Sequence, residues 1–283
     1  MDSGQIGIDI GEKLSLEKSI EWAIHNSVAI IEVQLDGGDN AVTRIDAARA
    51  APIRERCERE GIRLGLHTSS SVNVAELAPL VGDAVDAYLK AYVDAASRLG
   101  AEWIVVHAGY HFGSDLPRRM EAGLNRLLRL LEYAKAKGTR ILLENLNKEP
   151  PDAEVRYLAH TIEEWRWYYE KIQSPIFGLS FTANHAHLVP EGVEGFLAAM
   201  PFDQVVEVRL ADCFRNGKEE HLLPGTGDFD FAGLFRELLA RGFQGHFMNA
   251  FGSLDDMLTA RKTFTDMAFQ GSSHATGPEP SRV

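Results

Sequence analysis

The sequence predicts one α/β domain, a single (β/α)8 TIM barrel, and three observations carry that expectation. Eight short, β-branched and mostly apolar runs recur along the chain, at residues 5–10, 29–35, 62–67, 103–108, 140–146, 176–182, 205–212 and 245–251. Their near-continuous apolar character fits strands buried on both faces of a parallel sheet, and each is followed by a segment of helical periodicity. The chain has 283 residues, close to the roughly 250 of such a barrel. Its Gly- and Pro-containing stretches are short enough to be connections within one domain.

The first run, QIGIDI, closes near Asp9, and the second, AIIEVQL, carries Glu32 and Gln34. Gly61 follows a helical run where a left-handed cap is needed, and the third strand then ends at His67 in LGLHTSSSVN. Tyr88, Tyr92 and Leu99 share one helix face. Gly100 ends that helix, and strand four closes at His107 in IVVHAGYHFG, with His111 beyond. Leu124, Leu127, Leu128 and Leu131 form the next apolar face, Gly138 the next cap, and Glu144 ends strand five in ILLENLN. Thr161 with Glu164 reads as a capping box ahead of EWRWYYEKI. Strand six runs into Thr182, His185 and His187 in GLSFTANHAHL, and strand seven bears Glu207, Arg209 and Asp212 in VEVRLAD. The following loop, FRNGKEEHLLPGTGDFDF, adds Glu219 and His221; Gly242 precedes strand eight, which ends at Asn249 in HFMNAF. The barrel is assigned residues 1–269. The remainder, QGSSHATGPEPSRV at 270–283, is too polar to pack and reads as a disordered C-terminal tail.

Apolar residues make up 45% and charged residues 25%, an ordinary globular composition that excludes disorder as the main state. Acidic residues outnumber basic ones 41 to 29, for a formal net charge of −12. Such a surface repels phosphate backbones and anionic lipid, so neither nucleic acid nor membrane is expected as a partner. The amino terminus lacks the basic and apolar segments of a secretory signal, and no run of about 18 apolar residues occurs; the expected location is cytoplasmic. Cys57 and Cys213 have no neighbour at C-x-x-C spacing and are expected as two reduced thiols.

In a (β/α)8 barrel the carboxyl ends of the strands and the loops after them form the active face. A single histidine at a strand end often just satisfies backbone groups. Many ionisable side chains on one rim, however, form a set able to hold a small molecule and exchange protons with it.

The stretches VVHAG, LLENL, GLSFTANHAHL and HLLPGTGDFDF resemble those of the xylose isomerase-like barrel superfamily. That group includes sugar phosphate isomerases and epimerases, inositol-derivative dehydratases, dehydroshikimate dehydratase and the AP endonucleases of family 2, endonuclease IV among them. The likeness covers residues 5–268 and implies the barrel fold. For isomerases of the superfamily it also implies a divalent cation held by Glu, Asp, His and Glu from strands five to eight. Only Glu144 matches; Thr182, Arg209 and Asn249 stand at the other three positions. A guanidinium cannot coordinate a cation and repels one, so no metal is expected at the usual site, and Arg209 is free to pair with Glu144 or clamp a substrate anion or enolate oxygen. Resemblance to the endonuclease IV branch implies two other groups, His67 and His107 with Glu144, and His185 with Glu219 and His221. Two histidines and a carboxylate make a chemically sensible open zinc site. The net charge and the missing ligands between those groups weigh against DNA repair itself.

The leading expectation is an isomerase-, epimerase- or dehydratase-like enzyme that acts on a small hydroxy-carbonyl compound, sugar-derived or anionic, by proton abstraction without a cofactor. Glu144 is the expected general base, Arg209 the stabiliser of an enolate or anionic group, and His107 and His185 the acid–base partners. His67, Thr182, Asp212, His221 and Asn249 are expected to bind and orient the substrate. One alternative puts zinc or manganese on His67, His107 and Glu144; another is a non-catalytic barrel that binds a ligand or partner. The expected partner is a small-molecule substrate, with association into a homo-oligomer left open.

Overall fold

A computed structural model of the chain describes residues 3–216 and 218–273. The eight apolar runs form eight parallel strands: β1 (Ile6–Gly11), β2 (Ile30–Gln34), β3 (Arg63–His67), β4 (Trp103–Val106), β5 (Arg140–Glu144), β6 (Phe177–Thr182), β7 (Val205–Leu210) and β8 (His246–Asn249). They close in sequence order, β1 pairing with both β2 and β8, so the barrel has no free edge. Around it lie α1 (Leu16–His25), α2 (Ala47–Glu60), α3 (Pro79–Leu99), α4 (Leu116–Lys135), α5 (Ile162–Lys171), α6 (Ala183–His187), α7 (Gly192–Ala199), α8 (Phe231–Ala240) and α9 (Leu254–Ser273). The crossover from β6 to β7 is split between α6 and α7.

Local chemistry sets the helix ends. Asp46 caps α2 by accepting from Arg49 N at 2.8 Å, and Gly61 ends it in the left-handed region at φ 67°. Proline opens α3 and Gly100 closes it at φ 70°. At α5 the Thr161 hydroxyl accepts from Glu164 N at 3.2 Å. The Glu164 carboxylate accepts from Ala159 N at 2.9 Å, so the return half of the expected capping box is made upstream of the cap.

One apolar core fills the space between strands and helices. A smaller cluster, Ile30, Trp103, Val105, Leu142 and Met248, is separate from it and belongs to the strand faces turned into the barrel. Trp103 lies against Gly65, where a Cβ would stand 2.2 Å from the indole; only a residue without a side chain leaves the ring that space. Trp103 Nε1 donates to Glu32 Oε1 at 2.7 Å, tying this apolar layer to the charged one above it.

Several strands stop earlier than the sequence suggests. Strand β4 ends at Val106, because the chain turns at Gly109 (φ 98°), where a Cβ would lie 2.4 Å from Ala75 N. Asp212 falls beyond β7 and joins only an isolated bridge with Leu222. A two-stranded antiparallel ribbon, Tyr110–His111 with Arg156–Tyr157, gives no sequence signal because two residues per strand leave no alternation to read. Helix α9 runs to Ser273, past the boundary placed at 269; residues 274–283 of the expected tail lie outside the described residues. Among the described residues no helix is long and apolar enough to cross a membrane. Cys57 and Cys213 are both free and buried.

Candidate active site

Strand alternation turns every second side chain into the barrel. On β2 to β7 it aims Glu32, His67, Glu144, Thr182 and Arg209 inward, and parallel pairing sets Gln34 beside His67, Glu144 beside Ser180 and Thr182 beside Arg209. His107 follows the last residue of β4. These groups are buried, so each charge needs a partner.

Arg209 is the hub. Its guanidinium bonds Asp9 and Glu32, lies 3.2 Å from Glu207 Oε1, and its Nε is 3.9 Å from Glu144 Oε1. Burial opposes the charge, but the carboxylates of Glu32, Asp9 and Glu207 hold Arg209 protonated. Glu207 also accepts from Ser180 Oγ at 2.7 Å and lies 3.0 Å from His246 Nε2. Burial would raise its carboxyl, yet His246 and Arg209 hold it down to about 2. Burial and the like charge of Glu207 push Glu32 up instead.

Against this base stands His67, with Nδ1 2.9 Å from Glu32 Oε2 and Nε2 3.3 Å from Glu144 Oε2. Burial and Arg209 disfavour the imidazolium; the two carboxylates outweigh them and push His67 up to about 10. His107 Nε2 lies 3.1 Å from both Glu144 Oε2 and His67 Nε2. Burial drives His107 down, to the neutral ring, and its buried Nδ1 has no partner. Glu144 receives His67, His107 and the Thr182 hydroxyl. Burial alone would raise it, but the two histidines and Arg209 hold it well below the usual carboxylate range.

A second cluster faces this one. His185 Nδ1 donates to Asn145 O at 2.8 Å, which leaves Nε2 toward Glu219 Oε1 at 3.8 Å. His221 bonds Ala250 O through Nδ1 and stands 2.6 Å from Glu219 Oε1 through Nε2. Its two hydrogen bonds make it the charged ring: burial disfavours that form, but Glu219 raises its pKa. His185 and His221 in turn hold Glu219 well below the usual range. Between the clusters lies a cavity of about 240 Å³.

Of the residues expected at the site, His67, His107, Glu144, His185, Arg209 and His221 line this cavity. Thr182 acts behind it, on Glu144. Asp212 does not reach it, because its carboxylate accepts from the backbone N–H of Cys213, Gly225, Gly227 and Phe229 and thereby shapes the β7–α8 loop. Asn249 is also outside, donating to Met257 O at 2.9 Å, with a buried Oδ1 that has no partner. Nor is Arg209 free to clamp an anion, since it is enclosed by deeper carboxylates. Ser70, Asn147, Glu149 and Tyr157 line the cavity without having been expected there. Asn147 shares the ILLENLN stretch with Glu144 and was within reach of sequence reading; Tyr157 arrives on the unforeseen ribbon.

The donor sets differ in their fitness for a cation. A hydroxyl bonded to Glu144, an enclosed guanidinium and an amide turned to Met257 do not fit one at the usual isomerase position. His67 Nε2, His107 Nε2 and Glu144 Oε2 do, since they meet at 3.1, 3.1 and 3.3 Å. Those separations resemble the edges, roughly 3.3 Å, of a tetrahedron with metal–ligand bonds of about 2.0 Å. Glu32 on His67 Nδ1 is the kind of outer partner that orients a ligating ring.

A closed eight-stranded parallel barrel with an ionisable, cavity-bearing mouth defines the class of protein. The chain belongs to the xylose isomerase-like TIM barrel family, whose family model matches residues 21–255. No curated protein matches the sequence. Among solved structures, a D-tagatose 3-epimerase-like protein is similar at 19% identity and a TM-score of 0.80, over 95% of this chain and 100% of that one. D-psicose 3-epimerase from Clostridium cellulolyticum H10, solved with D-tagatose, has 15% identity and a TM-score of 0.72, over 96% and 98% of the two chains. A 3-keto-D-glucoside 4-epimerase from E. coli has 16% identity and a TM-score of 0.72, over 94% and 99%. At these identities the likeness is one of fold.

Proposed function

We propose that the protein is an isomerase or epimerase of small sugars, moving a proton at a carbon beside a carbonyl. The observation that carries this reading is the pair of acid–base clusters facing each other across one small cavity. In its neutral form, with Nδ1 donating to Asn145 O, His185 accepts at Nε2 the proton from the substrate carbon, and Glu219 balances the charge it gains. The protonated His67 supplies positive charge beside the developing enolate. Return of the proton from His185 to the former carbonyl carbon, with the hydroxyl proton of the deprotonated carbon passing to the former carbonyl oxygen, gives isomerisation; delivery of a proton from His67 to the opposite face of the deprotonated carbon gives epimerisation and leaves the first proton on His185. Glu144, bound by three donors, is a weak base; its part is to hold His67 and His107 in place and to balance their charge. The cavity suits the uncharged polyhydroxy carbonyl portion of a substrate, because Arg209 is already surrounded by carboxylates. The setting we propose is cytoplasmic.

Incubation with a panel of free ketoses and aldoses in D2O tests this, with NMR reading exchange at the carbon next to the carbonyl. Exchange with at least one sugar is expected, falling by about 10²-fold or more in His185→Gln and in Glu144→Gln. No exchange with any sugar would overturn the reading in favour of a binding protein.

A second reading has one observation in its favour, the near-tetrahedral meeting of His67, His107 and Glu144. These three would hold a zinc or manganese ion, which would polarise the substrate oxygens. Metal analysis of protein purified without an affinity metal, with a thermal melt in EDTA, separates the two. Near-stoichiometric metal with a lowered melt supports the cation, and the absence of both removes it.

A further inference from the structure

Beside the main cavity lies an annex of about 180 Å³, lined by Lys148, Glu149, Pro151, Arg156, Tyr157 and His160. Glu149 and Tyr157 also line the main cavity, so the two spaces share a wall. They differ in charge. The inner space is bordered by Asp9, Glu144, Glu149 and Glu219, and its cations, Arg209, His67 and His221, each already lie against a carboxylate. In the annex three bases, Lys148, Arg156 and His160, line the space with one carboxylate, that of Glu149. Glu149 accepts from Asn147 Nδ2 at 2.7 Å, while neighbouring Glu164 accepts from Ala159 N at 2.9 Å and lies 3.3 Å from His160 Nδ1. Among the described residues neither Lys148 nor Arg156 pairs with a carboxylate, and Arg156 donates only to Pro151 O, at 3.2 Å.

The annex wall is held in place. Arg156 and Tyr157 form one strand of the ribbon, paired with His111 and Tyr110. Tyr157 packs edge-on against Tyr110 at 6.3 Å, and Tyr110 against Phe112 at 6.0 Å. His160 Nδ1 is fixed 2.7 Å from Tyr157 O. Lys148 and Arg156, outside any ion pair among the described residues and with Arg156 fixed on the ribbon, outnumber the one carboxylate of the annex and leave it an excess of positive charge that an anion can meet.

We infer that the annex is a subsite for an anionic group, a phosphate monoester or a carboxylate, carried on the substrate whose carbonyl end sits in the inner cavity. The substrate part of this inference rests on the proposed isomerase reading; the anion site does not. The net charge of −12 repels anions at long range, so recognition depends on contact with Lys148 and Arg156 rather than on steering.

Inorganic phosphate is the first probe, titrated calorimetrically at low ionic strength. The wild-type protein is expected to bind it. The double variant Lys148→Ala/Arg156→Ala, which changes two exposed side chains, is expected to lose about tenfold or more in affinity. Glu144→Gln is expected to keep it. No binding by the wild type, or equal affinity in the double variant, overturns the site. Fructose 6-phosphate against fructose, and glucuronate against glucose, then identify the group: preference for the first of either pair, lost in the double variant, assigns phosphate or carboxylate. No preference in either pair overturns the substrate part. Intact phosphate binding without exchange on any sugar sinks the isomerase reading alone, whereas exchange on free sugars without phosphate binding sinks the annex alone.

Discussion

The two acid–base clusters at the barrel mouth are built differently. His67, His107 and Glu144 close three consecutive strands, β3, β4 and β5, and their side chains are 9%, 3% and 4% exposed. His185 comes from α6, and Glu219 and His221 from the β7–α8 loop, at 7%, 32% and 39%. The strand cluster is oriented by other buried side chains, Glu32 behind His67 and Trp103 behind Glu32. The loop cluster is oriented by backbone carbonyls, those of Asn145 and Ala250. A strand-held cluster has its geometry set in advance, but every charge in it is desolvated and must be balanced by another. A loop-held cluster is partly hydrated, less demanding of balance and free to adjust when a ligand arrives.

The comparison breaks most visibly at its hub. Arg209→Met would leave Asp9, Glu32 and Glu207 without their shared cation, which is expected to cost about 3–5 kcal/mol of stability, read by urea unfolding. A loss below about 1 kcal/mol would mean that the strand cluster is no more dependent on charge balance than an exposed pair.

Acid tests the same dependence from the other side. Glu207 titrates at about 2 in the fold and near 4.3 in an unfolded chain. Below 4.3 the unfolded state binds the proton first, so the stabilisation is complete at neutral pH and is lost as pH falls from about 4 toward 2. Unfolding followed along that range is expected to show a steep acid limb, and a shallower one in Glu207→Gln. Identical limbs would show that Glu207 is not held ionised by Arg209 and His246.

How far the sequence revealed all this depended on how local the determinants were. Buried parallel strands read as continuous apolar runs, so all eight were legible. Their ends were overshot because Leu146 and Phe251, just beyond β5 and β8, are buried too. Residues closing those strands, His67, His107 and Glu144, could be collected from position alone. Asp212 looks the same in sequence, yet four backbone N–H groups of its own loop claim it. The role of Arg209 hung on Glu32 and Asp9, 177 and 200 positions away, and no spacing rule links such residues. Tyr157 was hidden for a similar reason, since its placement depends on pairing with Tyr110 across α4 and β5.

The smallest effect on stability, and the sharpest use of the comparison, is expected from Glu219→Gln. This carboxylate is 2.6 Å from His221 and 3.8 Å from His185, and it is what raises His221. Being partly hydrated, it is expected to contribute no more than about 1 kcal/mol to folding, so the melting temperature should barely move. Turnover should behave otherwise: an amide keeps the shape but not the charge, His221 returns toward a neutral ring, and His185 loses the anion beside its proton-accepting nitrogen. A fall in exchange rate of about 10²-fold is expected, with the pH profile displaced as the histidine titration moves down. If Glu219→Gln instead destabilised the protein as Arg209→Met does, the loop cluster would be as tightly balanced as the strand cluster. Adjustment on ligand binding would then have to be sought elsewhere on the rim.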